Sequence, residues 1–154
     1  MAAYETSLSR STGVVFGPGV ARQPITQTAI VAITTAMIDN ANDDVGLFTL
    51  PAGAVVIGAS ISGTDMDTDG SPALAFDVGD SADEDRLIAA AAVGQAATYT
   101  NALAPAGHLY KYTAPTQIRA YVKTAAVAGA AGTLSVSVTY FVDPNFNTTA
   151  LTAA

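Results

Sequence analysis

A chain of 154 residues with 6 basic and 13 acidic side chains, a net charge of -7, no cysteine and one histidine is one domain's worth of sequence from which much catalytic chemistry is already removed. There is no disulfide framework, no thiolate nucleophile and no Cys or His cluster for zinc, and imidazole catalysis would have to run through His108 alone. Nucleic acid is excluded as a partner because Arg10, Arg22, Arg86, Lys111, Arg119 and Lys123 are scattered along the chain instead of clustered; a membrane is excluded because the apolar stretches are short, Ala-rich and broken by Gly or Ser.

The first 25 residues, rich in Ser, Thr, Gly and Pro, keep neither a helical nor a strand period and read as an extended N-terminal arm over residues 1–25. They hold no apolar run of signal-peptide length. Phe16-Gly17-Pro18-Gly19 is a kink in this arm and not a phosphate loop, since no Gly-Lys-Thr or Gly-Lys-Ser ending follows. From residue 26 onward, short β-branched runs alternate with turn residues, the pattern of an all-β sandwich or barrel. Thr28 to Thr35 and Val45 to Leu50 are the first two, the second stopped by Pro51-Ala52-Gly53. In Ala54 to Ser62, strict alternation places Val55, Ile57, Ala59 and Ile61 on one face, expected to be core, and Val56, Gly58, Ser60 and Ser62 on the other, nearly polar face.

Ala73 to Val78 turns Leu74, Phe76 and Val78 inward and Asp77 outward. Ser81 to Ala97 is ambiguous. Asp83 could cap a helix whose Ala run ends at Gly94, or the segment could be a hairpin loop leading into a small-residue strand; the reading adopted is a loop with at most one short helical turn. His108 to Thr113 reads as a strand with His108, Tyr110 and Tyr112 on one face. Gln117 to Thr124 buries Ile118, Ala120 and Val122, and Thr133 to Val142 buries Leu134, Val136, Val138, Tyr140 and Val142 against a face of hydroxyls. The expectation is a jelly-roll-like β-sandwich of about seven or eight strands over residues 26–143, followed by a C-terminal tail over 144–154.

Asp65-Met66-Asp67-Thr68-Asp69-Gly70 opens like a calcium loop, whose alternating carboxylates converge on a cation. The position that should carry the bidentate Glu is Phe76, and strands flank the loop, so a polar turn is favoured over a metal site at Asp65, Asp67 and Asp69. Eight of the 13 acids fall between Asp65 and Asp85; were the loops at Asp65–Asp69 and Asp80–Asp85 to meet, they would form a negative rim. No constellation activates His108, and no cofactor is expected.

Three stretches, FTLPAGAVVIGASIS (Phe48 to Ser62), DMDTDGSPALAFDVGDSADEDRLIAA (Asp65 to Ala90) and GTLSVSVTYFV (Gly132 to Val142), resemble the small β-sandwich decoration, cement or head-auxiliary proteins of tailed bacteriophages. The resemblance implies a homotrimer on the outer surface of the virion, bridging neighbouring capsomers of the major capsid protein, with no catalytic residues to carry over. The chain lacks the length and helical content of the common tailed-phage shell protein. The alternative is a head-fibre or tail-associated binding module for a carbohydrate or host surface, for which Tyr99, Tyr110, Tyr112 and Tyr121 are the candidate stacking residues; the lack of Trp counts against it.

Overall fold

The alternation of apolar and polar residues is realised as two four-stranded antiparallel sheets in the computed structural model of the protein, which describes residues 23–143. One sheet has the order β1 (Ile25–Ile33), β8 (Gly132–Val142), β3 (Ala54–Gly63), β6 (Tyr99–Thr100). The other has β2 (Asp44–Leu50), β7 (Thr116–Thr124), β4 (Ala75–Asp80), β5 (Asp83–Ala91). The pairs β1·β8, β2·β7, β3·β6 and β4·β5 nest inside one another along the chain, as happens when one long antiparallel ribbon folds over into two layers. Among the described residues, helix is confined to single 3-10 turns at Thr35–Met37 and Pro105–Gly107, and no helix is long and apolar enough to cross a membrane. The expected arm and tail lie outside the described residues apart from Gln23, Pro24 and Ile25, the last of which opens β1.

The core lies between the sheets. Leu134, Val136, Val138 and Tyr140 of β8 face Ile118, Ala120 and Val122 of β7, with Leu50, Ile61, Leu74, Phe76, Val78 and Leu87 filling the layer. The β8 register is heavily determined. Moving it by one residue would exchange buried apolar side chains for Ser135, Ser137 and Thr139, at about 1.5–3 kcal/mol for each side chain displaced. Four such exchanges rival the roughly 5–15 kcal/mol by which a domain is stable at all.

Three segments depart from simple alternation. In β3 the register shifts between Val56 and Gly58, so Ile57 is a bulged residue and the phase reverses there. Ala54, Val56, Ala59 and Ile61 therefore face the core, in place of the expected Val55, Ile57, Ala59 and Ile61. Ser81 to Ala97 is neither a helix nor the expected loop: Asp83–Ala91 is strand β5, paired with β4 through two register shifts, and a hydrogen-bonded turn follows only at residues 93–97. Phe76 opposes Ala91, Val78 opposes Ile88 and Asp80 opposes Asp83, so β5 carries three extra residues between Asp83 and Ile88 and one more between Ile88 and Ala91, the last absorbed in a bulge at Ala90 with a left-handed φ of 49°. That bulge hides the strand period, leaving a run of alanines that reads locally as helix.

His108 to Thr113 is no regular strand either. It follows the 3-10 turn and lies along the start of β3, with Val56 N–H donating to the Tyr110 carbonyl at 3.0 Å and Tyr112 N–H to the Ala54 carbonyl at 2.9 Å. Tyr110 and Tyr112 meet edge to face at 4.9 Å, while His108 is exposed and apart from the buried Tyr112.

Candidate functional site

The calcium-like loop is organised around a single carboxylate. Asp67 is 1% exposed, and its two oxygens accept hydrogen bonds from four backbone amides: Ala73 (2.8 Å), Leu74 (3.1 Å), Val127 (3.1 Å) and Ala128 (2.9 Å). Burial pushes this carboxyl pKa up, but the four amides outweigh burial and hold it far below the usual carboxylate range. Asp67 thereby ties the loop after β3 to the loop between β7 and β8. Met66, fully buried next to it, adds backbone bonds to Gly94 and Ala130. Asp69 accepts from Ser71 N–H at 2.8 Å in a local turn, and Asp65 is exposed. A cation at Asp67 would have to displace amides already seated on both oxygens, and no group of three potential ligands converges among the described residues.

A second pinned carboxylate sits at the far end of β4. Asp80, 3% exposed, accepts from Ala82 N–H (2.9 Å) and Asp83 N–H (3.2 Å) on one oxygen, and from Arg86 Nε (2.7 Å) and Tyr112 Oη (3.2 Å) on the other. Burial raises the Asp80 pKa, yet the Arg86 guanidinium and the turn amides together bring it below its ordinary value. Burial and the Asp80 charge push the Tyr112 hydroxyl well above its ordinary value. The Arg86 guanidinium also stacks 3.9 Å from the centre of the Tyr110 ring. Asp77, expected to point outward into solvent, does lie on the outer side of β4 but is only 2% exposed. It accepts from Ala90 N–H at 2.6 Å and pairs with Lys123 at 3.2 Å, so it holds the β5 bulge in place.

The acidic loops do not form one rim. Strand β4 runs between them and holds Asp67 and Asp80 at opposite ends of the sandwich, roughly 20 Å apart for six residues at about 3.3 Å each. Sequence reading had no access to the Asp80, Arg86, Tyr112 and Tyr110 cluster, which joins residues far apart in the chain. The signal it offered was an Asp six positions before an Arg in a segment otherwise poor in cations.

Charge is partitioned between the sheets. Strands β1, β3, β6 and β8 contain no charged residue. The other sheet carries Asp44 on β2, Asp77 and Asp80 on β4, Asp83 to Arg86 on β5, and Arg119 and Lys123 on β7. Its cations are matched: Arg119 with Asp44, Lys123 with Asp77, Arg86 with Asp80 and Asp83. The outer face of the uncharged sheet is a grid of hydroxyls, with Thr26 bonded to Thr139 at 2.9 Å and Thr28 to Ser137 at 2.8 Å across β1 and β8. Ser60 and Ser62 of β3 continue the same rows opposite Ser137 and Ser135.

On this face Ile30 is 74% and Tyr99 64% exposed. A shallow groove of about 340 Å³ at its β6 edge is lined by Ser60, Tyr99, Asn101 and His108 among others. Of the four candidate stacking tyrosines only Tyr99 is exposed: Tyr112 and Tyr121 are buried, and Tyr110 is half-buried under Arg86.

No protein-family model and no curated protein sequence matches the chain. Solved structures do. A chain of the cyanophage Pam1 capsid asymmetric unit is 31% identical, with a TM-score of 0.68 over 92% of this chain and 99% of that one. A chain of the capsid of Ralstonia phage GP4 is 25% identical, with a TM-score of 0.66 over 86% of this chain and 92% of that one. A chain from the acid-stable capsid of Helicobacter pylori bacteriophage KHP30 shares the fold at 18% identity and a TM-score of 0.56, over 79% of this chain and 94% of that one. With nearly a third of its residues identical to the Pam1 chain over almost the whole of both, the protein belongs to a family of bacteriophage capsid-associated β-sandwich proteins.

Proposed function

We propose that this protein is a non-enzymatic decoration protein that sits as a homotrimer on the outer surface of a phage head and bridges neighbouring capsomers of the major capsid protein. The observation carrying this reading is the nearly end-to-end match, 92% of this chain against 99% of a chain in a capsid asymmetric unit. The small all-β domain, without an α-helix among the described residues, suits an accessory subunit better than a shell-forming one. The nested pairing of β1·β8, β2·β7, β3·β6 and β4·β5 supports a jelly roll, a fold common in virion subunits. Both pinned carboxylates are spent on holding loops, which leaves extended surface, not a reactive constellation, as the means of action.

The arm over residues 1–25 is assigned to contact with the shell or a neighbouring subunit, where partner contacts offset the entropy of ordering it. A carbohydrate-binding module has less support, since only one of its four tyrosines is exposed. Quantitative mass spectrometry of purified heads tests the proposal. Decoration requires the protein in symmetry-related numbers, on the order of hundreds per head; a dozen copies or fewer would point to a portal, tail or fibre component. Heads stripped of the protein should take it back, and removal of Met1 to Pro24 should weaken that rebinding. Unchanged occupancy would remove the role given to the arm.

A further inference from the structure

We propose that the outer face of the uncharged sheet, β1-β8-β3-β6, is the surface on which a second copy of this chain packs. The inference builds on the homotrimer reading by naming the face that copies share. Two copies each carry a net charge of -7, so their approach is repulsive unless the surfaces that meet are free of unpaired charge. The sandwich offers one sheet whose strands carry no charge, every charged strand residue belonging to the other, and the charges beside it, Lys111 along the start of β3 and Asp143 after β8, pair with each other at 2.8 Å. A basic partner would be drawn to the acidic loops and β5, whereas a second copy, itself acidic, is repelled there and meets least repulsion on this face.

Two further features of the face agree. Its Thr and Ser hydroxyls already bond to one another across strands, at 2.9 Å for Thr26 and Thr139 and 2.8 Å for Thr28 and Ser137, which lowers the cost of removing them from water. The two most exposed large apolar side chains among the described residues, Ile30 and Tyr99, stand on the same face and would gain most from being covered. Strands about 4.8 Å apart and about 30 Å long make a face of roughly 500 Å². This is smaller than the roughly 800 Å² per partner of a standard stable interface. Pairwise association through it is therefore weak, and becomes firm only where copies are held together at high local concentration, as on a shell.

Sedimentation velocity on the full chain, from micromolar to about 500 µM, tests the surface with the double substitution Ile30→Glu, Ser60→Glu, and with the double substitution Thr49→Glu, Ala89→Glu at exposed positions of β2 and β5 as the charge-matched control. The parent chain should self-associate, the double variant should weaken that association at least tenfold, and the control should match the parent; circular dichroism and melting temperature verify that all three fold. Self-association that survives the double variant overturns the proposal, as does a parent chain that stays monomeric at 500 µM yet still occupies stripped heads. Association lost in the double variant, for a protein absent from purified particles, supports the surface and removes the virion role alone.

Discussion

Replacing Asp67 by Asn tests whether this carboxylate is a structural pin. In the wild type one oxygen serves Ala128 and Val127, and the other serves Ala73, Leu74 and Val127. Asn supplies one acceptor oxygen and one amino group, so the least costly orientation turns the amino group toward Ala128 and keeps the other three amides satisfied. One buried N–H then loses its acceptor, at about 1–3 kcal/mol, and three charge-assisted bonds become neutral ones, at a loss of about 1 kcal/mol each. Allowing for partial relaxation, the expected destabilisation is about 3–5 kcal/mol. The roughly 120 described residues correspond to an unfolding entropy near 0.25 kcal/mol/K, so the melting temperature should fall by roughly 12–20 °C. Differential scanning calorimetry at pH 7 measures it; a drop of less than about 4 °C would refute the pinning argument.

Arg86→Met should destabilise the domain by about 3 kcal/mol in urea titration, since it strips Asp80 of its cation while leaving the carboxylate buried. Combined with Asp80→Asn it should cost clearly less than the sum of the two single changes; additivity would show that the pair does not act as a unit. Gly79→Ala should cost about 2 kcal/mol or more, because a Cβ there would lie 2.2 Å from the Asp83 carbonyl oxygen, whereas Gly70→Ala, with nothing within 4 Å, should stay within about 0.5 kcal/mol in the same titration. Stability should also depend on pH at both extremes. Asp67 and Asp80 have lowered folded-state pKa values, so their contribution is complete above about pH 4 and is lost as pH falls toward those values. Tyr112 has a raised one, so its contribution holds below about pH 10 and fades as pH climbs beyond it. Melting temperatures across pH should be flat between about 5 and 9, and Asp67→Asn should flatten the acid limb; an unchanged limb would locate the acid sensitivity elsewhere.

How far the sequence spoke depended on whether a strand kept its period. In β7 and β8 the period runs unbroken, so Ile118, Ala120, Val122, Leu134, Val136 and Val138 were legible as core. In β3 a single bulge at Ile57 reverses the phase, and alternation counted through it assigns Val55 and Ile57 to the face that Ala54 and Val56 occupy. β5 fails for two reasons together: bulges break the period, and Asp, Glu and Ala are residues whose local preferences favour a helix over a strand. Tertiary pairing with β4 overrides those preferences. The acidic cluster was visible as composition, but its meaning depended on where β4 lies between the loops, and that is a property of the pairing. Likewise, the lack of charge in β1, β3, β6 and β8 could be counted along the chain, yet it became a face only once these strands were seen to share one sheet.

The most direct test of the central claim is a cryo-electron microscopic reconstruction of the mature phage head. This sandwich should appear on the outside of the shell, in three-fold clusters over the junctions between capsomers. Density for the sandwich only inside the head or on the tail, or a head complete without it, would contradict the account.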